Sequence, residues 1–194
     1  MEKTADFILE KVAPIFNRQG YVGTTLRDLT EATKLTKGAI YGNFENKEEL
    51  ALKAFLLNFK KAFEPLEKAI ASKDHSIAKL YALTDYYRNY YDYASGRGGC
   101  PVLNVTIDAQ HINSKLFDLA KQKSERLVLG IEMIIRNGIK NGEIKKSVDA
   151  EVFGQNIYSM IEGSLFLAFT FKRDNYVLNI LDHIDHIIEH ELKA

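Results

Sequence analysis

Apolar side chains recur every three or four positions along almost all of this 194-residue chain, and the period-two alternation of a half-buried strand is scarce. That spacing gathers apolar groups on one side of a helix, so the chain is predicted to be all-α. Residues 4–19 carry Phe7, Ile8, Val12, Ile15 and Phe16 on one side, and Gly20 follows as a stop. Pro14 is expected to bend this helix without ending it, because the apolar spacing continues to Phe16. Thr25-Leu26-Arg27-Asp28 reads as a capping box that opens a helix to about Thr33. Lys34-Leu35 is the turn, and Thr36 caps a second short helix to about Phe44. Asn46-Lys47-Glu48-Glu49 then caps a longer helix to about Ile70. Further helices are predicted at 77–93, 102–111, 114–141, 149–171 and 175–192, with Ser95-Gly96-Arg97-Gly98-Gly99 as the most flexible segment.

Composition removes several function classes. Lys+Arg and Asp+Glu number 26 each, which excludes a polybasic tail but leaves room for a local basic surface. One cysteine, Cys100, cannot form an internal disulfide or a multi-cysteine zinc site, so a reducing, cytoplasmic setting is expected. The opening MEKTADFILEKV mixes acids with apolar residues, unlike a signal peptide, and no apolar run approaches the ~18–20 residues of a membrane span. A Gly-rich phosphate loop, a nucleophile elbow and a His-Glu-x-x-His zinc motif are all missing from the sequence, so neither catalysis nor a cofactor is expected.

The two short helices and their turn, packed on a longer first helix, have the layout that sets a helix into the DNA major groove. Leu26, Leu29 and Ala32 supply an inward face for the first, and Leu35, Ile40 and Phe44 for the second. The outward side of the second presents Thr36, Lys37, Tyr41 and Asn43, groups suited to phosphates and base edges. Gly38 allows close backbone approach to a phosphate, and Lys47 starts the next helix, where free amides favour an anion. Residues 17–47 hold five cations and three acids, so one copy should bind weakly.

These residues carry a resemblance. GYVGTTLRDLTEATKLTKGAIYGNFENKEEL, residues 20–50, resembles the DNA-binding signature of the tetracycline-repressor (TetR) family of transcriptional regulators. The likeness extends over about residues 4–55, through Phe16, Gly20-Tyr21, Thr24-Thr25, Leu29, Thr36-Lys37-Gly38, Ile40-Tyr41, Phe44 and Lys47-Glu48. It implies a homodimer with helix-turn-helix heads (residues 1–48) and a C-terminal helical ligand-binding and dimerisation domain (residues 49–194). Carried over position by position, the DNA contacts fall on Thr25, Thr36, Lys37, Gly38, Tyr41, Asn43 and Lys47. Many members have an aromatic residue or His where this chain has Gly42 and Asn43, so a side-chain contact is lost and the Asn43 amide would read its target differently.

The rest of the chain suggests a guest and a second copy. Six of the ten tyrosines lie between 81 and 93, and a helical interior with a few polar handles has the composition of a small-molecule cavity. A plain aromatic core is the blander reading. The candidate ligand residues are Tyr87, Tyr91, Asn104, His111, Phe117, Phe166 and Phe169; with no strong charged pair evident, a largely apolar or aromatic effector is expected. Cys100, beside Arg97 and before a helix start, offers an alternative as a thiol sensor of electrophiles or oxidants. The strongly apolar helices at 149–171 and 175–192 are expected to form a four-helix dimer interface, which would set two heads on successive major grooves of an inverted repeat. His183, His186 and His190 share a face, but one helix closes a metal site poorly, and a solvated or interfacial charged face is expected instead.

Overall fold

The computed structural model describes residues 2–194 and contains nine α-helices and one π-helical turn among them. The helices are α1 (Glu2–Gly23), α2 (Leu26–Thr33), α3 (Lys37–Tyr41), α4 (Lys47–Ala71), α5 (Ser76–Ser95), α6 (Pro101–Ala109), α7 (Ser114–Lys140), α8 (Ala150–Phe171) and α9 (Asn175–Ile187). The π turn, Ile188–Leu192, closes the chain, and an isolated bridge joins Ile144 to Lys193. The all-α expectation holds. No helix among the described residues is long and apolar enough to cross a membrane.

Local chemistry accounts for the helix starts. Thr25 accepts from the Asp28 amide at 3.2 Å while the Asp28 carboxylate accepts from the Thr25 amide at 2.7 Å, the reciprocal capping box read from the sequence. Thr36 caps α3 through the Ala39 amide, and Asn46 caps α4 through the Glu49 amide. Asp149 accepts from two amides at the start of α8. The end of α3 differs from the sequence reading. Helix α3 ends at Tyr41, because Gly42 closes the last turn and Asn43 donates back to the Ile40 carbonyl, so Asn43 lies just beyond the helix. Helix α1 breaks at Gly20, whose φ of 73° and ψ of 179° are not helical, so the stop falls where the sequence places it, and one further turn follows the kink to Gly23.

The helices pack as two compact units. The first comprises residues 1–62 and 96–122, and the second residues 63–95 and 123–194. Helices α4 and α7 each contribute to both. In the first unit Ile8, Val12, Leu29, Ile40, Phe44 and Leu50 are buried together with Ala54 and Phe55. Burying each large side chain contributes roughly 1.5–3 kcal/mol.

In the second unit α9 packs on both α5 and α8. Ile135, Ile157, Ile161, Leu165, Leu181 and Ile184 fill its interior. Gly154 admits the close approach of α7, since a Cβ there would lie 3.2 Å from the Glu132 backbone nitrogen. Arg88 of α5 grips Asp182 and Asp185 of α9 at 2.7 and 2.6 Å, and Tyr81 donates to Glu189 at 3.1 Å. The acidic side of the last helix therefore staples α9 to α5.

The glycine-rich segment after α5 was expected to be the most flexible. Two amides instead hold it within the first unit. Asn17 donates to the carbonyls of Arg97 and Gly99 at 2.8 and 3.0 Å. Asn104 donates to Gly98 at 2.7 Å and to Asn17 at 3.0 Å.

Candidate nucleic-acid interface

Helix α3 turns one side inward and leaves the other open. Ile40 is fully buried, while Thr36, Lys37 and Gly38 are exposed and Tyr41 is half-buried. Helix α2 holds this arrangement through buried Leu29 and through the left-handed turn at Lys34, whose amide donates to the Thr30 carbonyl at 2.9 Å. The Thr36 oxygen accepts from Ala39, so its hydroxyl proton points to no partner in the cap itself. Thr25 is exposed, yet its hydroxyl also donates to Asp28 at 2.6 Å. These bonds hold the Asp28 carboxyl below its ordinary value. Asn43 is half-buried, and its Nδ2 donates to the Ala39 carbonyl at 2.9 Å. One end of that amide is thus engaged, and its Oδ1 is the end available to a base or phosphate.

Lys47 begins α4 with its Nζ 4.7 Å from the centre of the Tyr21 ring. Burial lowers its pKa, while Asp108 and Asp28 act in the opposite sense. The ammonium is therefore positioned by an aromatic face and remains half-exposed at the helix start. Next to it, Glu48 pairs with the Lys115 ammonium at 2.8 Å and accepts from the Asn113 side-chain amide at 3.2 Å, and these contacts depress its pKa. That pairing reduces the repulsion an anion would meet near Lys47.

One supporting residue escaped the sequence reading. Asp108 of α6 accepts from the Tyr21 amide at 2.7 Å, just after the break at Gly20. A Cβ at Gly20 would lie 2.5 Å from the Asp108 carboxylate, so close approach and positive φ both select glycine there. Nothing in the local sequence marks Asp108, because its partner is 87 residues away.

The candidate ligand residues are divided between the two units. In the second unit Tyr91 stacks on Phe169 with ring centres 5.5 Å apart, and Tyr87 is buried against Tyr86 and Tyr90. Phe166 of α8 is 50% exposed. Asn104, His111 and Phe117 belong to the first unit. Asn104 is committed to the loop carbonyls described above, His111 is exposed, and Phe117 is half-buried. The sequence reading also passed over Glu162, whose place four residues after Tyr158 and seven before Phe169 was a visible signal.

Cys100 is fully buried at the N-cap of α6, so a reagent reaches it only after local opening. His183, His186 and His190 are exposed, and no group of three His, Cys, Asp or Glu among the described residues could hold a metal.

Comparison with known proteins points to one family. Residues 8–54 match the family profile described as bacterial regulatory proteins, tetR family, and residues 76–184 match the tetracyclin repressor-like C-terminal domain. A transcriptional regulator from Cytophaga hutchinsonii superposes with a TM-score of 0.90 at 32% identity, covering 99% of this chain and 96% of that one. A regulator from Chloroflexus aurantiacus gives 0.92 at 30% identity, covering 99% and 97%. The HTH-type transcriptional repressor DhaR of Mycobacterium sp. strain GP1 is 22% identical over 160 residues, 81% of this chain and 78% of its own.

Proposed function

Because the chain belongs to the tetR family of bacterial regulatory proteins, and is thus a DNA-binding transcriptional regulator and not an enzyme, we propose that it is a repressor released from an inverted-repeat operator by a small molecule. Residues 1–48 act as the DNA-binding head and residues 49–194 as the effector-binding and dimerisation part. Thr36, Lys37, Gly38, Tyr41 and Asn43 meet the major groove, with Thr25 and Lys47 on the flanking phosphates. The observation that carries this reading is the exposed side of α3, backed by fully buried Ile40. The name of the repressor relative supports repression as the outcome. The protein works in the cytoplasm, in keeping with its single cysteine and its DNA target.

A homodimer is supported by what the fold leaves uncovered. Val152, Phe166, Leu167 and Phe171 are exposed on α8, a row of large apolar side chains that a second copy would cover. Two heads would then engage grooves about 34 Å apart or a multiple of that. Release is a two-state balance in which the effector prefers the arrangement that misfits the operator. A 100-fold loss of operator affinity needs about 2.7 kcal/mol of such preference. Helix α4 starts at Lys47 and belongs in part to each unit, which makes it the natural lever.

Tyr41→Ala tests the assignment. Specific operator binding should disappear in a salt-dependent mobility assay while sedimentation still reports a dimer. Retained specific affinity would refute the role given to α3.

A further inference from the structure

Helix α8 carries a carboxylate on a side it otherwise uses for packing. Tyr158, Glu162, Leu165 and Phe169 follow one another at intervals of four, three and four, so they share one helix face. Near one end of that face the Ser124 hydroxyl of α7 donates to the Tyr158 oxygen at 3.0 Å. At the other end Phe169 stacks on Tyr91 of α5. Glu162 lies between these contacts, about 6 Å along the axis from Tyr158 and about 10 Å from Phe169 at 1.5 Å rise per residue. Its stem is half-buried, but Oε1 is sealed from solvent and has no hydrogen-bond partner. Tyr158 supplies the one side-chain hydrogen bond to the carboxylate, and burial outweighs it, pushing the carboxyl up to about 7.

A carboxylate offers about four acceptor positions, and one phenol leaves most of them empty. An unmet buried acceptor costs about 1–3 kcal/mol, and more when charged. Buried polar atoms of this kind are uncommon in native folds, so this one calls for a specific reason. Hydrophobic packing alone would be better served by leucine or methionine here. The residues that share its helix face, Tyr158, Leu165 and Phe169, include no cation, so the missing partner is one that arrives from outside.

We propose that Glu162 is the charge-reading residue of the effector site, and that the effector is a lipophilic monocation. Its protonated amine donates to Oε1, and its apolar body extends toward the Tyr91–Phe169 pair. The inference rests on the effector-released reading above and adds an amine to the largely apolar or aromatic guest expected from sequence. An ammonium beside Oε1 exchanges an unpaired acceptor for a charge-assisted hydrogen bond in a poorly hydrated setting. A neutral alcohol of the same shape also donates, but leaves the charge uncompensated.

The test uses purified full-length protein, phenylbutylamine and phenylbutanol. Calorimetry at pH about 8, where both the amine and the carboxylate are charged, should give at least about tenfold tighter binding of the amine to wild type. In Glu162→Gln the preference should shrink to about twofold or less. Equal affinities in wild type, which require no variant, would overturn the proposal. So would a preference that survives in Glu162→Gln, or no amine binding at about 1 mM. Release of an operator duplex is followed in parallel by fluorescence anisotropy. An alcohol that binds and releases DNA as well as the amine removes the role of Glu162 and keeps effector release. A Glu162-dependent amine preference without DNA release supports Glu162 and removes the effector-release reading.

Discussion

Replacing Glu162 by Gln should stabilise the protein at alkaline pH and change little in acid. The carboxyl is raised from its ordinary 4.5 to about 7, with burial as the cause and the Tyr158 hydrogen bond opposing it. A raised acid binds more protons folded than unfolded between those two values, so its contribution to stability falls as pH climbs through that window. Above about pH 8 the penalty is complete: a rise from 4.5 to about 7, at about 1.4 kcal/mol per pH unit, amounts to about 3 kcal/mol. Gln keeps the shape and still accepts from Tyr158, but never has to be ionised in the interior. Urea unfolding at fixed protein concentration, at about pH 5 and about pH 8, reads the difference directly. The variant should gain up to about 3 kcal/mol at the higher pH and a small fraction of that at the lower. An equal effect at the two values, or a loss of stability at pH about 8, would refute the claim that a sealed charge is carried here.

Three further outcomes follow from the contacts. Asp108→Ala strands the Tyr21 amide beside the Gly20 break and should destabilise the protein by about 1–2 kcal/mol in thermal unfolding; an unchanged midpoint would show that the contact contributes nothing. Asp28 has a depressed pKa through its bonds to Thr25, so its stabilising part is present above 3.8 and lost as pH falls through the lower folded value. Asp28→Asn should accordingly weaken the protein at neutral pH and converge with wild type in strong acid, as read by circular dichroism across a pH series. Cys100 is buried, so an electrophile should release DNA equally from wild type and Cys100→Ser; release confined to wild type would revive the thiol-sensing alternative.

How much was legible from residue order depends on the range of each interaction. The capping box at Thr25, the caps at Thr36 and Asn46, and the inward turn of Leu29 and Ile40 were all readable, because each rests on groups within one helical turn of one another. The end of α3 was misplaced by three residues because apolar Phe44 suggested continuation, whereas Gly42 closes the turn and Phe44 is buried from outside the helix. The loop at 95–99 looked mobile from its glycines. Asn17, which is 82 positions from Gly99, and Asn104, six positions after Gly98, supply its order. The ligand residues were chosen for composition, and Asn104 is occupied by that same loop.

Residue order by itself determined the helices, their caps and the outward side of α3, since side chains three or four positions apart decide these against their own backbone. Tertiary structure decided that Asp108 would meet Tyr21 across 87 positions and that Asn17 would hold Gly99 across 82. It also decided that one oxygen of Glu162 would be shut away from water. Burial and long-range hydrogen bonds depend on which surfaces come together, and no local spacing encodes that.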